Sequence, residues 1–134
     1  MLDVSRYAKD DVVACRANVA AQLASYRKLL AAKPSGIEAF ERRFFNHMIL
    51  ALDHYFMHRL RNKEGKDGNP LNEVRMLSNA IMENEGRMSR DKTIRYEPET
   101  SILKFKPGDE IRLDAAAFAR LSAAFFDEVA KKYP

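Results

Sequence analysis

The sequence predicts a mainly α-helical protein with a small β part, in which a four-helix, bundle-like core carries a three-stranded antiparallel meander between helices 3 and 4. Four segments repeat apolar residues at spacings of three and four, which is the period of a helix with one buried face. Short alternating segments, separated by turn residues, follow the third helical segment. The chain has 134 residues, 46% hydrophobic and 31% charged, which favours a single domain spanning 1–134 with its own core.

The first predicted helix runs from Asp10 to Ala32. Acidic residues at its start and basic residues at its end interact favourably with the helix dipole, and Pro34 follows its last turn. One face of this helix is apolar and includes the only cysteine: Val12, Cys15, Val19, Leu23, Tyr26 and Leu30.

The second predicted helix follows the segment Ser35–Glu38, which fits the S-x-x-E capping box, and continues to Asn62. Its stretch FFNHMILALDHYFMHRLRN (44–62) has a wide apolar side, which predicts the central helix of the core. The opposite side is a narrow polar stripe that contains all three histidines of the chain: His47, His54 and His58.

The third predicted helix starts after a glycine-containing loop, 63–68, with Asn69 as N-cap and Pro70 in the first turn. Gly86 is typical of a helix end.

Alternation of apolar and polar residues predicts strands over 93–97, 101–106 and 110–113, which form the meander. The fourth helix is predicted from its N-cap Asp114 to about Lys132.

Composition narrows the location and the partners. A single cysteine, Cys15, excludes an internal disulfide, and the N-terminal residues show no secretory signal, so we expect a cytoplasmic protein. The longest apolar run is too short to span a bilayer, so no membrane partner is expected. A net charge of +4 is only mildly basic.

Two segments, GKDGNPLNEVRML (65–77) and KPGDEIRLD (106–114), resemble parts of a small bacterial protein family with no assigned function. The resemblance extends over roughly the second two-thirds of the chain. It implies a bacterial, cytosolic origin, and it brings no catalytic motif and no activity.

Spacing on the second helix allows one candidate metal site. His54 and His58 lie one turn apart, as in zinc and non-haem iron sites, whereas His47 is too far along the axis to join them. If the second and third helices pair in antiparallel fashion, Glu73 lies opposite His58 and could be a third ligand. Surface or interface histidines are the competing interpretation, and no other cofactor is predicted.

The corner between these two helices is also a candidate site for a small polar or anionic ligand. The free amides of a helix start and the surrounding basic residues favour a phosphate or a carboxylate. Side chains that could orient such a ligand are Arg61, Asn69, Asn72, Glu73 and Arg75.

These observations predict a small binding or interaction protein with a polar pocket at that corner. A bundle-type metal-dependent enzyme using His54 and His58 is the alternative, so the sequence does not decide whether the chain is an enzyme. Nucleic-acid binding through two basic clusters, 59–66 and 87–95, has the weakest support, because neither matches a recognition motif. Adjacent aromatic pairs at 44–45 and 125–126 cover more than one helix face, which favours a homodimer.

Overall fold

The computed structural model describes residues 3–134, and within them the chain forms helices joined by loops. Four helices are long, one is a single turn, and one further turn has 3-10 geometry. Their bounds are α1 Lys9–Ala31, α2 Ile37–Tyr55, α3 Arg61–Glu64, α4 Pro70–Glu83, the 3-10 turn Pro98–Thr100 and α5 Ala115–Lys132. The four long helices correspond to the four predicted ones.

Helix α1 ends where the sequence predicts, just before Pro34. Its apolar face is buried at four positions one or two turns apart, Val12, Val19, Leu23 and Tyr26. The other side of the helix is exposed along most of its length. The apolar repeat alone therefore fixes which side of α1 packs on the core.

Helix α2 is shorter than predicted at its C-terminal end. The backbone leaves helical geometry at Phe56, with φ −130° and ψ 41°. The N-terminal segment then pairs with the chain beyond the helix, because Val4 donates its N–H to the His58 carbonyl at 2.7 Å and accepts from Leu60 N–H at 2.8 Å. The prediction of a helix up to Asn62 was wrong because the two segments that pair here lie far apart in the sequence.

The start of α2 also differs in detail. Gly36 is the N-cap with φ 76°, and no side chain caps the helix there. The Ser35 capping box is therefore not formed.

The predicted caps of the last two helices are present. Asn69 accepts hydrogen bonds from the amides of Leu71 and Asn72, and Asp114 accepts from Ala117. After α4, Gly86 has φ 75° and donates to the carbonyl of Ala80. A left-handed residue is a common way to end a helix, and glycine adopts it without a Cβ penalty.

Helix α5, and not α2, is the central helix of the core. It packs against α1, α4 and α2. Its buried face includes Phe118, Leu121, Phe125 and Val129, each 0% exposed. Phe126, on the neighbouring face, is 1% exposed. The prediction of α2 as central therefore needs correction, because α5 buries two faces and α2 leaves its polar stripe outside.

The predicted meander is absent from residues 3–134, and the segments 93–97, 101–106 and 110–113 are loops. Within these described residues, the ladder contacts are two isolated bridges, Val4 with Arg59 and Arg87 with Glu110. The alternation predicts burial in two of the three segments, because Ile94, Tyr96, Ile111 and Leu113 lie in the core, whereas Leu103 and Phe105 are half-buried.

In this region, buried side chains form hydrogen bonds with backbone groups that neighbouring strands would pair with in a sheet. The Glu73 carboxylate accepts the amides of Ile102 and Leu103, at 2.8 and 2.9 Å. The hydroxyl of Tyr96 donates to the Phe105 carbonyl at 2.6 Å. Lys104 has φ 63°, which interrupts an extended backbone. The region is therefore a set of loops pinned by buried polar side chains.

Candidate functional site at the corner between α2 and α4

The corner is built around the carboxylate of Glu64, which is 0% exposed. Arg75, one turn into α4, forms a two-pronged contact with it, from Nη2 to Oε1 at 2.6 Å and from Nε to Oε2 at 3.0 Å. Arg59 donates from Nε to Oε1 at 2.8 Å. Two guanidinium groups thus bind one buried carboxylate. The planar guanidinium presents pairs of N–H donors whose geometry matches that of a carboxylate.

Arg59 is itself 1% exposed and uses its remaining donors inside the protein. Its Nη1 donates to the Phe56 carbonyl at 3.1 Å and its Nη2 to the Leu71 carbonyl at 3.2 Å. The carboxylate of Asp53 lies 3.0 Å from Nη2, although the pair is not aligned as a hydrogen bond. Arg59 therefore ties the end of α2 to the start of α4.

Two asparagines fix the loop that joins α3 and α4. Asn72, which is buried, donates to Glu64 Oε2 at 2.9 Å and accepts from the Gly68 amide at 3.0 Å. Asn69 donates to the Glu64 carbonyl at 2.7 Å. Lys132, at the end of α5, donates to the same carbonyl at 2.9 Å. The loop is consequently held from three sides.

The electrostatics of the corner favour an ionised Glu64. Burial raises the pKa of Glu64, but the hydrogen bonds from Arg75 and Asn72 and the charges of Arg59 and Arg75 outweigh it, so the pKa lies below its ordinary value. Burial in turn lowers the pKa of Arg75, and the Glu64 carboxylate more than restores it. The group is therefore a set of paired ions, with its charges satisfied internally.

Four of the five residues predicted to bind a ligand lie at this corner, but the side chains of three of them form hydrogen bonds within the protein. The Asn69 side chain donates to the Glu64 carbonyl, and those of Asn72 and Arg75 donate to the Glu64 carboxylate. Arg61 is 45% exposed at its side chain and stands 4.0 Å from the Glu64 carboxylate. Arg61 is thus the one member of this group with a largely solvent-exposed guanidinium.

Glu73, the fifth predicted residue, faces away from the corner. It is 1% exposed and binds the amides of Ile102 and Leu103. Burial raises the pKa of Glu73, and the two amide hydrogen bonds oppose that rise. Its carboxylate holds the loop that follows the 3-10 turn.

The three candidate metal ligands are not brought together. His54 lies in the last turn of α2, and His58 lies beyond the end of the helix. Both line one shallow depression of about 270 Å³. Glu73 is not part of it, and among residues 3–134 no group of three His, Cys, Asp or Glu side chains is arranged to hold a metal ion.

The structure joins the two basic clusters of the sequence into one surface. Arg95 donates its amide to the Lys66 carbonyl at 2.8 Å, which places the loop between α4 and the 3-10 turn (residues 84–97, the 90s loop) against the α3–α4 loop. Five exposed cations of the two clusters lie on these two loops or on the adjoining α3, and we call them the basic face: Arg61, Lys66, Arg90, Lys92 and Arg95.

The basic face is rich in unpaired charge. Within the described part of the chain, Lys66, Arg90, Lys92 and Arg95 have no carboxylate within salt-bridge distance. Asp91 is the carboxylate in its middle. Hydrogen bonds from Thr93 lower the pKa of Asp91, and the charges of Arg61 and Arg75 lower it further, so these two arginines lie near it.

A polar cleft of about 310 Å³ opens beside the basic face, between α4 and the 90s loop. Its donors include Asn79, Ser89, Arg90 and Lys92, while Glu83 and Asp91 add carboxylates. Asn79 lies one turn after Arg75 on α4, so the cleft continues the surface of the corner.

Sequence reasoning located the corner but missed its centre. Glu64 lies in a segment of alternating charges that predicts a solvated turn, and nothing local distinguishes it from its charged neighbours. Arg59 looks like one more cation of the first basic cluster. Their pairing depends on Arg75 and Asn72, which approach only when α4 folds back onto α2.

Comparison of the chain with protein-family models, with curated proteins and with solved structures gave no match. The bacterial origin therefore rests on the resemblance of the two short segments alone. In residues 3–134, none of the helices combines the length and the apolar character needed to cross a membrane. What the site does has to be argued from its own residues.

Proposed function

We propose that this chain is a small binding protein whose basic face and adjoining polar cleft take a small ligand carrying phosphate or carboxylate groups. The observation that supports it most is the contact between Lys66 and Arg95, which merges two basic segments far apart in the sequence. Unpaired cations that share one surface are the usual footprint of an anionic partner.

The paired ions beneath the surface support the same function. Glu64 pairs with both Arg59 and Arg75 inside the protein, and Asp53 lies 3.0 Å from Arg59 as a second carboxylate, so these arginines act as a scaffold. The exposed cations above them keep their donors free for a ligand. A scaffold locked by internal hydrogen bonds also lowers the entropy that binding must overcome.

The size of the cleft favours a small ligand over a polymer. Its volume of about 310 Å³ lies at the lower end of the range of small-molecule sites. Glu83 and Asp91 line the same cleft as Arg90 and Lys92, so an anionic group would bind on the side of the two cations. Nucleic acid therefore remains the weaker candidate.

A metal-dependent enzyme has less support than anion binding. Such an enzyme needs a third ligand beside His54 and His58, and Glu73 instead accepts the amides of Ile102 and Leu103. A homodimer, in contrast, is compatible with anion binding, since the basic face can stay open in either state. A cytoplasmic location belongs to the proposal as well and rests on the single cysteine, Cys15.

Calorimetric titration with inorganic phosphate and tripolyphosphate tests the proposal. The triple variant Lys66→Gln, Lys92→Gln, Arg95→Gln removes three exposed cations and should weaken binding by at least about tenfold, since charge-assisted hydrogen bonds are lost. The matched control Arg27→Gln, Lys28→Gln, Arg120→Gln removes the same charge from exposed positions on α1 and α5 and should bind like the wild type.

Equal weakening in the two triple variants would show a response to net charge alone and would overturn the proposal, as would the absence of binding to either probe. A single-stranded oligonucleotide titrated at about 50 and 200 mM salt addresses nucleic-acid binding, because phosphate contacts make such binding fall steeply with salt. Tight oligonucleotide binding with no phosphate binding would favour nucleic acid.

A further inference from the structure

A second cleft lies on another part of the molecule, between the start of α1 and the end of α5. It measures about 550 Å³ and is larger than the cleft beside the basic face. Its walls are mainly apolar and aromatic, formed by Tyr7, Val12, Val13, Ala130 and Tyr133. Val13 is 56% exposed although it is a large aliphatic side chain, so part of this wall faces solvent.

The aromatic walls are fixed by hydrogen bonds that point away from the cleft. Tyr133 donates its hydroxyl to the Leu60 carbonyl at 2.7 Å, and Tyr7 donates to the Phe56 carbonyl at 3.4 Å. The two tyrosines also bond through their backbones, from Tyr7 N–H to the Tyr133 carbonyl at 3.1 Å. The phenol groups are thus engaged, and what remains for an occupant is apolar surface that is already in place.

The charged side chains that line the cleft are all cations. Among residues 3–134, three cations, Arg6, Lys9 and Arg16, line it, and no carboxylate side chain does. Arg16 is paired with Asp127 at 2.8 Å, and Arg6 donates to the Pro134 carbonyl at 3.1 Å. Lys9 has no carboxylate within salt-bridge distance in the described part of the chain. An occupant would therefore meet apolar walls and a positive rim.

We propose that this cleft binds an amphiphilic anion, a small molecule with one apolar chain or ring and one carboxylate head. The apolar body would lie against Val13, Ala130 and the ring of Tyr7, and the head would pair with Lys9 at the rim. The volume falls inside the range of small-molecule sites, which are mostly apolar with a few placed polar groups.

Calorimetry with decanoate below its micelle concentration tests this assignment. Decyltrimethylammonium has the same tail and the opposite head, and it should bind at least about tenfold more weakly because it meets Lys9, Arg6 and Arg16. Hexanoate, four methylenes shorter, should bind weakly or undetectably, since each buried methylene changes affinity by about fourfold.

Two variants of α5 locate the site. Ala130→Phe places a ring into the cleft and should abolish decanoate binding, whereas Ala123→Phe adds the same ring at an exposed alanine that does not line it. Both positions are exposed, so both proteins should keep their fold, which thermal unfolding checks. Lys9→Gln should weaken decanoate and leave neutral decanol unchanged.

Decanoate that binds Ala130→Phe as it binds the wild type would overturn the proposal, and so would equal affinity for the two decyl probes. Light scattering on Ala130→Phe covers the remaining outcome: a dimer that this substitution alone dissociates would make a second copy the occupant. None of these changes touches the basic face, so failure here is separate from failure of phosphate binding.

Discussion

Glu64 is the residue on which the corner depends, because it is a fully buried carboxylate between two guanidinium groups. A buried ion pair adds little to stability compared with an apolar pair, but breaking it leaves an uncompensated charge inside. Arg59, 1% exposed, would then keep only the Asp53 carboxylate, 3.0 Å from its Nη2, as an anionic partner. The pairing thus fixes a geometry more than it adds free energy.

We expect Glu64→Gln to lower the free energy of unfolding at neutral pH by about 3 kcal/mol or more, because Arg59 and Arg75 lose their shared anion. Urea unfolding measures it. Asp127→Asn is the control, since it breaks the exposed pair with Arg16 and should cost no more than about 1 kcal/mol.

The same comparison has a pH dependence with a defined sign. The pKa of Glu64 is lower in the folded protein than its ordinary value of 4.5, so its contribution is complete above that value and is lost as pH falls below it. The gap between wild type and Glu64→Gln should therefore shrink on acidification. A gap that grows instead would contradict an ionised, paired Glu64.

At the scale of elements, the loop between α3 and α4 meets the 90s loop at Gly68. A Cβ on Gly68 would lie 2.4 Å from the Arg95 carbonyl oxygen, which is closer than real side chains approach backbone. The residue also has φ 86°. This close approach is what brings Lys66 and Arg95 together, so the basic face depends on a glycine that lies under it.

Gly68→Ala should destabilise the protein more than Gly108→Ala, by at least about 1 kcal/mol. Both glycines have positive φ and share a strain of about 1–2 kcal/mol on substitution, but Gly108 has nothing within 4 Å of its added Cβ. Chemical denaturation compares the two. Equal losses of stability in the two variants would mean that the backbone at Arg95 moves away from the added methyl group without destabilising the protein.

At the scale of the whole molecule, an apolar surface is exposed where α1 ends and α2 begins. Phe40 and Leu29 are each 46% exposed, and Leu30 is 39% exposed. The ring of Phe40 stacks on Phe44, which stacks on Tyr26. The dimer interface predicted from the aromatic pairs 44–45 and 125–126 would be wider than this surface, but Phe45, Phe125 and Phe126 are buried within the chain.

The homodimer stays a prediction, and this surface is where we expect it to form, because symmetric pairing is the common way to cover exposed apolar side chains. Light scattering across a dilution series should show a dimer that Phe40→Glu shifts to monomer. Met82→Glu is the control at another exposed apolar residue, 69% exposed on α4. A wild type that is monomeric throughout would refute the prediction.

The sequence by itself determined the four long helices, their buried faces and two of their caps, because those depend on residues three or four apart. It also identified the buried side chains of the 90s and 110s loops, since alternation reports burial. Only tertiary structure decided that the segment 101–106 is not a strand, because the Glu73 carboxylate accepts the amides of Ile102 and Leu103 from a helix about thirty positions away. Tertiary structure likewise ended α2 at Tyr55 through the pairing with Val4, and made Glu64 the centre of the corner. Both depend on partners that local spacing does not reveal.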